Sequence, residues 1–252
     1  MGIDNSLLLI SALAVLIAGV SKSGFGGGLV ILAVPIVSLV AEPILALAIL
    51  LPVLIFMDFV NVHRYFGKWD REIVKRIFPA ALLGTMIGSL SLVSLNPNVL
   101  KLLIGALAIV FTIHHYLKLK APHQGTTPGD HVFSSYFWGA LAAFTSFTAH
   151  AGGPPLNMYL LPQRLEKLAF VATLSAFIAL TNILKALSYT YMGLFTYQSL
   201  LISALLIPVA VIGTQLGFWL QQRLDEEIFY RCCYGFLLLA GFKLLASGLS
   251  VI

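Results

Sequence analysis

Six apolar stretches, at about residues 44–63, 73–94, 99–118, 168–190, 196–220 and 228–250, each hold about 20 residues, the length an α-helix needs to cross the hydrocarbon core of a bilayer. A water-soluble globule could not bury them all, because 59% of the chain is hydrophobic, only 10% is charged and the mean hydropathy is +0.96. None shows the polar–apolar alternation of a membrane β-barrel. The chain therefore reads as an all-α polytopic protein of the cell membrane, with the lipid bilayer as its surroundings. Its opening, MGIDNSLLLI, has no basic region ahead of the apolar run and is read as mature protein rather than a cleavable signal.

The pI of 9.3 does not point to nucleic acid. The basic residues cluster beside apolar spans, in HRYFGKWDREIVKR and HHYLKLKAPH, where they set membrane orientation. Cys232 and Cys233 are adjacent in the last span, where a disulfide would be strained, so they read as packing residues.

The chain repeats itself. FPAALLGTMIGSL (78–90) returns as IPVAVIGTQLGFW (207–219), with Pro79, Gly84, Thr85 and Gly88 matching Pro208, Gly213, Thr214 and Gly217 at one offset. NVHR (61–64) has a counterpart in NILK (182–185), and a glycine motif ending at Pro35 has one ending at Pro162. An ordered series of this kind indicates duplication, whereas small residues used for close helix packing explain only the GTxxG pair. The halves are 1–120 and 132–252, joined by the polar, turn-rich linker 121–131.

Each half begins with a broken segment, GVSKSGFGGGLVIL (19–32) or FTAHAGGPPLNMYLLP (147–162). If that segment crosses the membrane, the halves are parallel; if it dips in and returns, they are inverted. The loop with Arg64, Lys68, Arg71, Lys75 and Arg76 is cytoplasmic by its charge, and a dipping segment keeps Arg164, Lys167, Arg223 and Arg231 on that side as well. Pro154 to Pro162 spans only about 14 Å as a helix, too short to cross. The expected architecture is two inverted halves, each a re-entrant broken helix pair plus three transmembrane helices, with both termini outside.

Non-helical backbone at membrane depth survives only when buried in protein or lining a wet cavity. Gly24, Gly26, Gly27 and Gly28 permit a tight turn, after which the next helix would present amide groups suited to an anion. Ser21 and Ser23 add hydroxyls, and Lys22 adds a charge that either snorkels to water or faces a polar path. In the second half Gly152 and Gly153 supply the turn, while His150 and Asn157 bring polar groups. Two such tips meeting near the midplane follow the plan of secondary transporters.

Through SKSGFGGGLVILAVP, NVHRYFGKWD, TAHAGGPPLNMYLLPQ and NILK, the chain resembles the sulfite exporter TauE/SafE family of membrane permeases over nearly its whole length. That resemblance implies transport of a small, often sulfur-containing anion such as sulfite or an organosulfonate.

Asn61 and Asn182 can donate to an oxyanion or bridge helices. His150 can couple protons or act structurally. Asp58 shares a helix face with Asn61 and can carry a proton or pair with Arg64 or Lys185. The histidines at 114, 115, 123 and 131 lack metal-ligand spacing, so no metal is expected, and nothing in the sequence calls for a cofactor. GFGGGL fails the dinucleotide pattern, and Ser21 and Ser23 are poor protease nucleophiles, so no enzyme is expected. The function expected is a secondary transporter for a small anion working by alternating access with proton coupling; the alternative is a passive anion channel of the same architecture. The sequence leaves the oligomeric state open.

Overall fold

The computed structural model describes residues 4–24, 27, 29–94, 132–160, 163, 165–221 and 223, with isolated positions between 99 and 113 and between 238 and 249. Gly26, Gly28, the linker 121–131, the cysteine pair, His114, His115, His123, His131 and most of the expected spans at 99–118 and 228–250 lie outside these residues.

The first half contains α1 (Asn5–Gly24), a 3₁₀ turn (Val30–Leu32), α2 (Ala33–Val37), α3 (Pro43–Arg64) and α4 (Arg71–Ser94). The second contains α5 (Val132–Ala149), α6 (Gly153–Leu160), α7 (Lys167–Tyr191) and α8 (Tyr197–Gln221). Among the described residues, 5 helices (α1, α3, α4, α7 and α8) are long and apolar enough to cross a membrane. The protein is thus an all-α, multi-pass integral membrane bundle.

Local chemistry sets several boundaries. Pro43 opens α3, where its missing N–H is not needed, and it holds Glu42 extended at φ −64° and ψ 140°. Pro52, Pro79 and Pro208 lie inside helices, as neighbouring helices in a membrane bundle allow. The polar run Ser21–Lys22–Ser23 does not end α1, which stays helical to Gly24, and all three side chains are buried. The expected break thus starts later than the first polar residue, because each of these groups finds a partner inside the protein.

The repeated glycines explain the packing. A β-carbon at Gly213 would lie 3.0 Å from Leu16 O, and one at Gly217 would lie 2.5 Å from Val20 O, so α8 crosses α1 with backbone nearly touching backbone. The first-half copies, Gly84 and Gly88, make the same kind of approach to α5, at Ala140, Ala143 and Phe147. Ala143 and Phe147 stand to Pro162 as Leu16 and Val20 stand to Pro35, so both contacts share one register. Each GTxxG helix therefore packs on the broken arm of the other half.

α6 turns back along α5, and Leu156 and Leu160 pack with Ile73, Ile77 and Ala142. At the Arg64 end of α3, Tyr65 and Trp69 pack with Phe170, Val171 and Phe218, and the Asp70 amide donates to Thr173 Oγ1 at 2.8 Å. The α3–α4 loop, the start of α7 and the end of α8 thus share one end of the bundle. At the other end, the Tyr189 ring meets Phe147 edge-on at 5.1 Å and its hydroxyl donates to Phe147 O at 2.8 Å.

Candidate functional site

Both breaks place polar groups in the middle of the bundle. In the first, Gly27 reverses the chain at φ 74°, a conformation open to glycine at no steric cost. Ser21 organises this turn: its carbonyl accepts from the Gly27 amide at 3.0 Å and its hydroxyl accepts from the Leu29 amide at 2.9 Å. In the second, His150 takes the turn at φ 52°, uncommon for a residue with a side chain. Its amide donates to Ser146 O and the Ala151 amide donates to Thr145 O.

A continuous polar chain links the two. Lys22 Nζ lies 2.6 Å from Asp58 Oδ1 and 3.4 Å from Leu54 O, and both ionic side chains are only 4% exposed. Lys22 therefore does not snorkel, and the partner of Asp58 is Lys22 rather than Arg64 or Lys185, because α1 brings its polar turn against α3. Arg64 instead sits over the Phe218 ring at 4.0 Å. Asn182 Nδ2 donates to Asp58 Oδ2 at 2.6 Å, and Asn182 Oδ1 accepts from Lys185 Nζ at 3.0 Å. Lys185 also reaches Ser146 Oγ at 3.2 Å and His150 Nδ1 at 2.5 Å. His150 Nε2 lies 3.2 Å from Leu47 O. A carbonyl has no hydrogen to give, so these partners assign the ring hydrogen to Nε2 and leave Nδ1 to accept from Lys185.

A small cavity lies against this chain. Lys22, Ser146, His150, Ser175 and Asn182 form its polar wall with backbone at Gly27 and Gly153, and Val30, Leu54, Leu174 and Ile178 form the apolar wall. Its volume, about 20 Å³ measured for the centre of a water-sized sphere, suits roughly one water. Ser175 Oγ is buried with no hydrogen-bond partner at this wall. A wall of this kind, with one ammonium, a side-chain amide and a buried hydroxyl without a partner, can receive a small polar ligand.

Of the candidate residues, Lys22, Gly27, His150, Gly153 and Asn182 meet at the cavity. Ser23 and Asn61 lie just behind it: Ser23 Oγ donates to Asn61 Oδ1 at 2.9 Å and Asn61 Nδ2 donates to Lys22 O at 3.4 Å. Gly24 packs on Gly217 and Gly152 packs on Ser146 and Ala142. Asn157, in α6, has Oδ1 buried without a hydrogen-bond partner. Three further residues belong to the site. Lys185 was visible as the match to Arg64 and as a candidate partner of Asp58; Ser146 lies one turn before His150, and Ser175 lies two turns before Asn182 on the same face of α7.

Searches among curated proteins and among solved structures returned no match. The family model described as sulfite exporter TauE/SafE matches residues 11–244. With a match over most of its length and a bundle of membrane-crossing helices, the chain belongs to the TauE/SafE family of membrane transporters.

Proposed function

We propose that the protein is a secondary transporter for a small, sulfur-containing anion such as sulfite or an organosulfonate, working by alternating access and coupled to protons. One observation carries this reading: the two broken segments converge on a cavity whose wall holds Lys22, His150, Asn182 and the unpartnered Ser175 hydroxyl. Lys22, Asn182 and Ser175 would receive the anion, with the Gly27 and Gly153 backbone beside it; Asp58 and His150 are the titratable groups placed to carry protons.

Reciprocal packing of the two GTxxG helices in one register supports an inverted repeat. The shared end of the α3–α4 loop, the start of α7 and the end of α8 supports a re-entrant α5–α6 pair returning to the cytoplasmic side. Aromatic contacts beyond the cavity at both ends, Tyr65–Phe218 and Phe147–Tyr189, support a carrier that opens one side at a time rather than a continuous pore.

Counterflow in proteoliposomes tests the proposal. Labelled sulfite or ethanesulfonate is expected to enter faster when the vesicles are preloaded with the same unlabelled anion. Flux without this acceleration would indicate a channel, and absence of flux for all sulfur oxyanions and sulfonates would remove the anion reading.

A further inference from the structure

The polar chain is not evenly available to a ligand. Lys185 carries three ammonium hydrogens and has three acceptors around it, Ser146 Oγ, His150 Nδ1 and Asn182 Oδ1, so its donors are already engaged. The lysine on the cavity wall is Lys22, and its charge is taken by Asp58 at 2.6 Å. An anion entering the cavity meets an ammonium that already holds an anion.

We propose that Asp58 is a tethered internal anion that occupies Lys22 in the empty transporter, and that each substrate anion displaces it while the freed carboxylate takes up one proton. This rests on the anion-transport reading above and deepens it. The exchange balances: one anion and one proton enter, the Lys22–Asp58 ion pair opens, Lys22 pairs with the substrate, and Asp58 becomes neutral with the proton drawn from water on the side the site faces. For a monovalent anion the net charge in the buried cluster is unchanged, which matters because an uncompensated second anion in a low-dielectric interior is strongly unfavourable. Asp58 is built for this change. Oδ2 is held by Asn182 and keeps that hydrogen bond in either protonation state, whereas Oδ1 makes the ion pair but no aligned hydrogen bond and is free to receive the hydrogen.

The charged and titratable groups that face Asp58 are Lys22 from α1 and, behind Asn182, Lys185 from α7, with His150 beyond it. Among the described residues, α2 and α8 contribute none, and on α3 itself His63 and Arg64 lie at the helix end. His150 is not the carrier in this scheme, because Nδ1 and Nε2 are both engaged.

The test uses the full chain purified in detergent, in weak buffer with a pH-indicator dye, and four monovalent probes that stay ionised near neutrality: methanesulfonate, ethanesulfonate, propanesulfonate and 2-hydroxyethanesulfonate. For a probe that binds, wild type is expected to take up about one proton per anion, with Kd rising about tenfold per pH unit where Asp58 is otherwise ionised. Asp58→Asn is expected to bind the same probe at least as tightly, with no proton uptake and no pH dependence. Anion binding to wild type without proton uptake overturns the proposal and leaves transport standing. So does uptake that persists in Asp58→Asn. Should that variant fail to fold with Lys22 unpaired, the wild-type stoichiometry and pH slope decide alone. If none of the four probes binds, this scheme falls for them, and sulfite counterflow separately decides the transport reading.

Discussion

The two broken segments share a frame but differ in where they keep their chemistry. In the first, the turn is made of backbone: Gly27 reverses the chain, Ser21 satisfies the amides, and the charge, Lys22, sits on the helical arm before the turn. In the second, the turn residue itself carries the polar side chain, since His150 reverses the chain at φ 52° and reaches Lys185 from there. The lysine of that half lies outside the broken segment, on α7. One segment keeps a permissive turn and a charged arm, and the other accepts a strained turn to place a ring.

The largest expected effect comes from the two lysines. Lys22→Met leaves the Asp58 carboxylate buried and unpaired, a loss of about 3–5 kcal/mol, and should abolish both a cooperative melting transition and flux. Lys185→Met strands only neutral groups, at about 1–3 kcal/mol, so that variant should still melt cooperatively while losing transport. Equal melting losses would mean that the lysines are not specialised as the ion pair suggests.

Gly27→Val comes next. It puts a branched side chain at φ 74°, for about 1–3 kcal/mol of strain, beside Leu174 and Lys22 at the cavity. Loss of labelled-anion flux is expected while the protein still inserts, and flux at the wild-type rate would remove Gly27 from the site.

A third pair of variants sharpens the comparison of helix contacts. A β-carbon at Gly217 meets the backbone oxygen Val20 O, whereas one at Gly88 meets the Phe147 side chain at 2.7 Å. Phe147 Cβ moves only with its own backbone, so the closer contact decides: Gly217→Ala, at 2.5 Å, should cost more stability than Gly88→Ala, each about 1–3 kcal/mol. The reverse order would show that the α1–α8 contact is the more adaptable.

The smallest effect is at the histidine turn. His150→Gly and His150→Asn both tolerate positive φ, so they should melt above His150→Ala by about 1 kcal/mol, although all three lose the ring contact to Lys185. Identical midpoints for the three would mean that strain at His150 is negligible.

Much of this organisation could be read from the sequence. The spans expected at 44–63, 73–94, 168–190 and 196–220 are α3, α4, α7 and α8 to within a few residues, because charged or turn residues flank each apolar run. The short second arm was legible from the distance between Pro154 and Pro162, and α6 has 8 residues. What could not be read was pairing across the bundle. Arg64 or Lys185 was the partner expected for Asp58, whereas its partner Lys22 reaches it only after α1 docks on α3. Ser146 and Ser175 were missed because a lone serine in an apolar helix looks the same whether it faces lipid, a neighbour or a cavity.

The crossed glycine contacts also bear on biogenesis. The face of α1 that carries Gly19 and Gly24 is completed by Gly213 and Gly217, roughly 190 residues later in synthesis. At about 5–20 residues per second, that leaves the first hairpin without its mate for about 10–40 s. During that interval Lys22 can already pair with Asp58 and the turn amides with Ser21, so what stands open to lipid is the small-residue face of α1 alone.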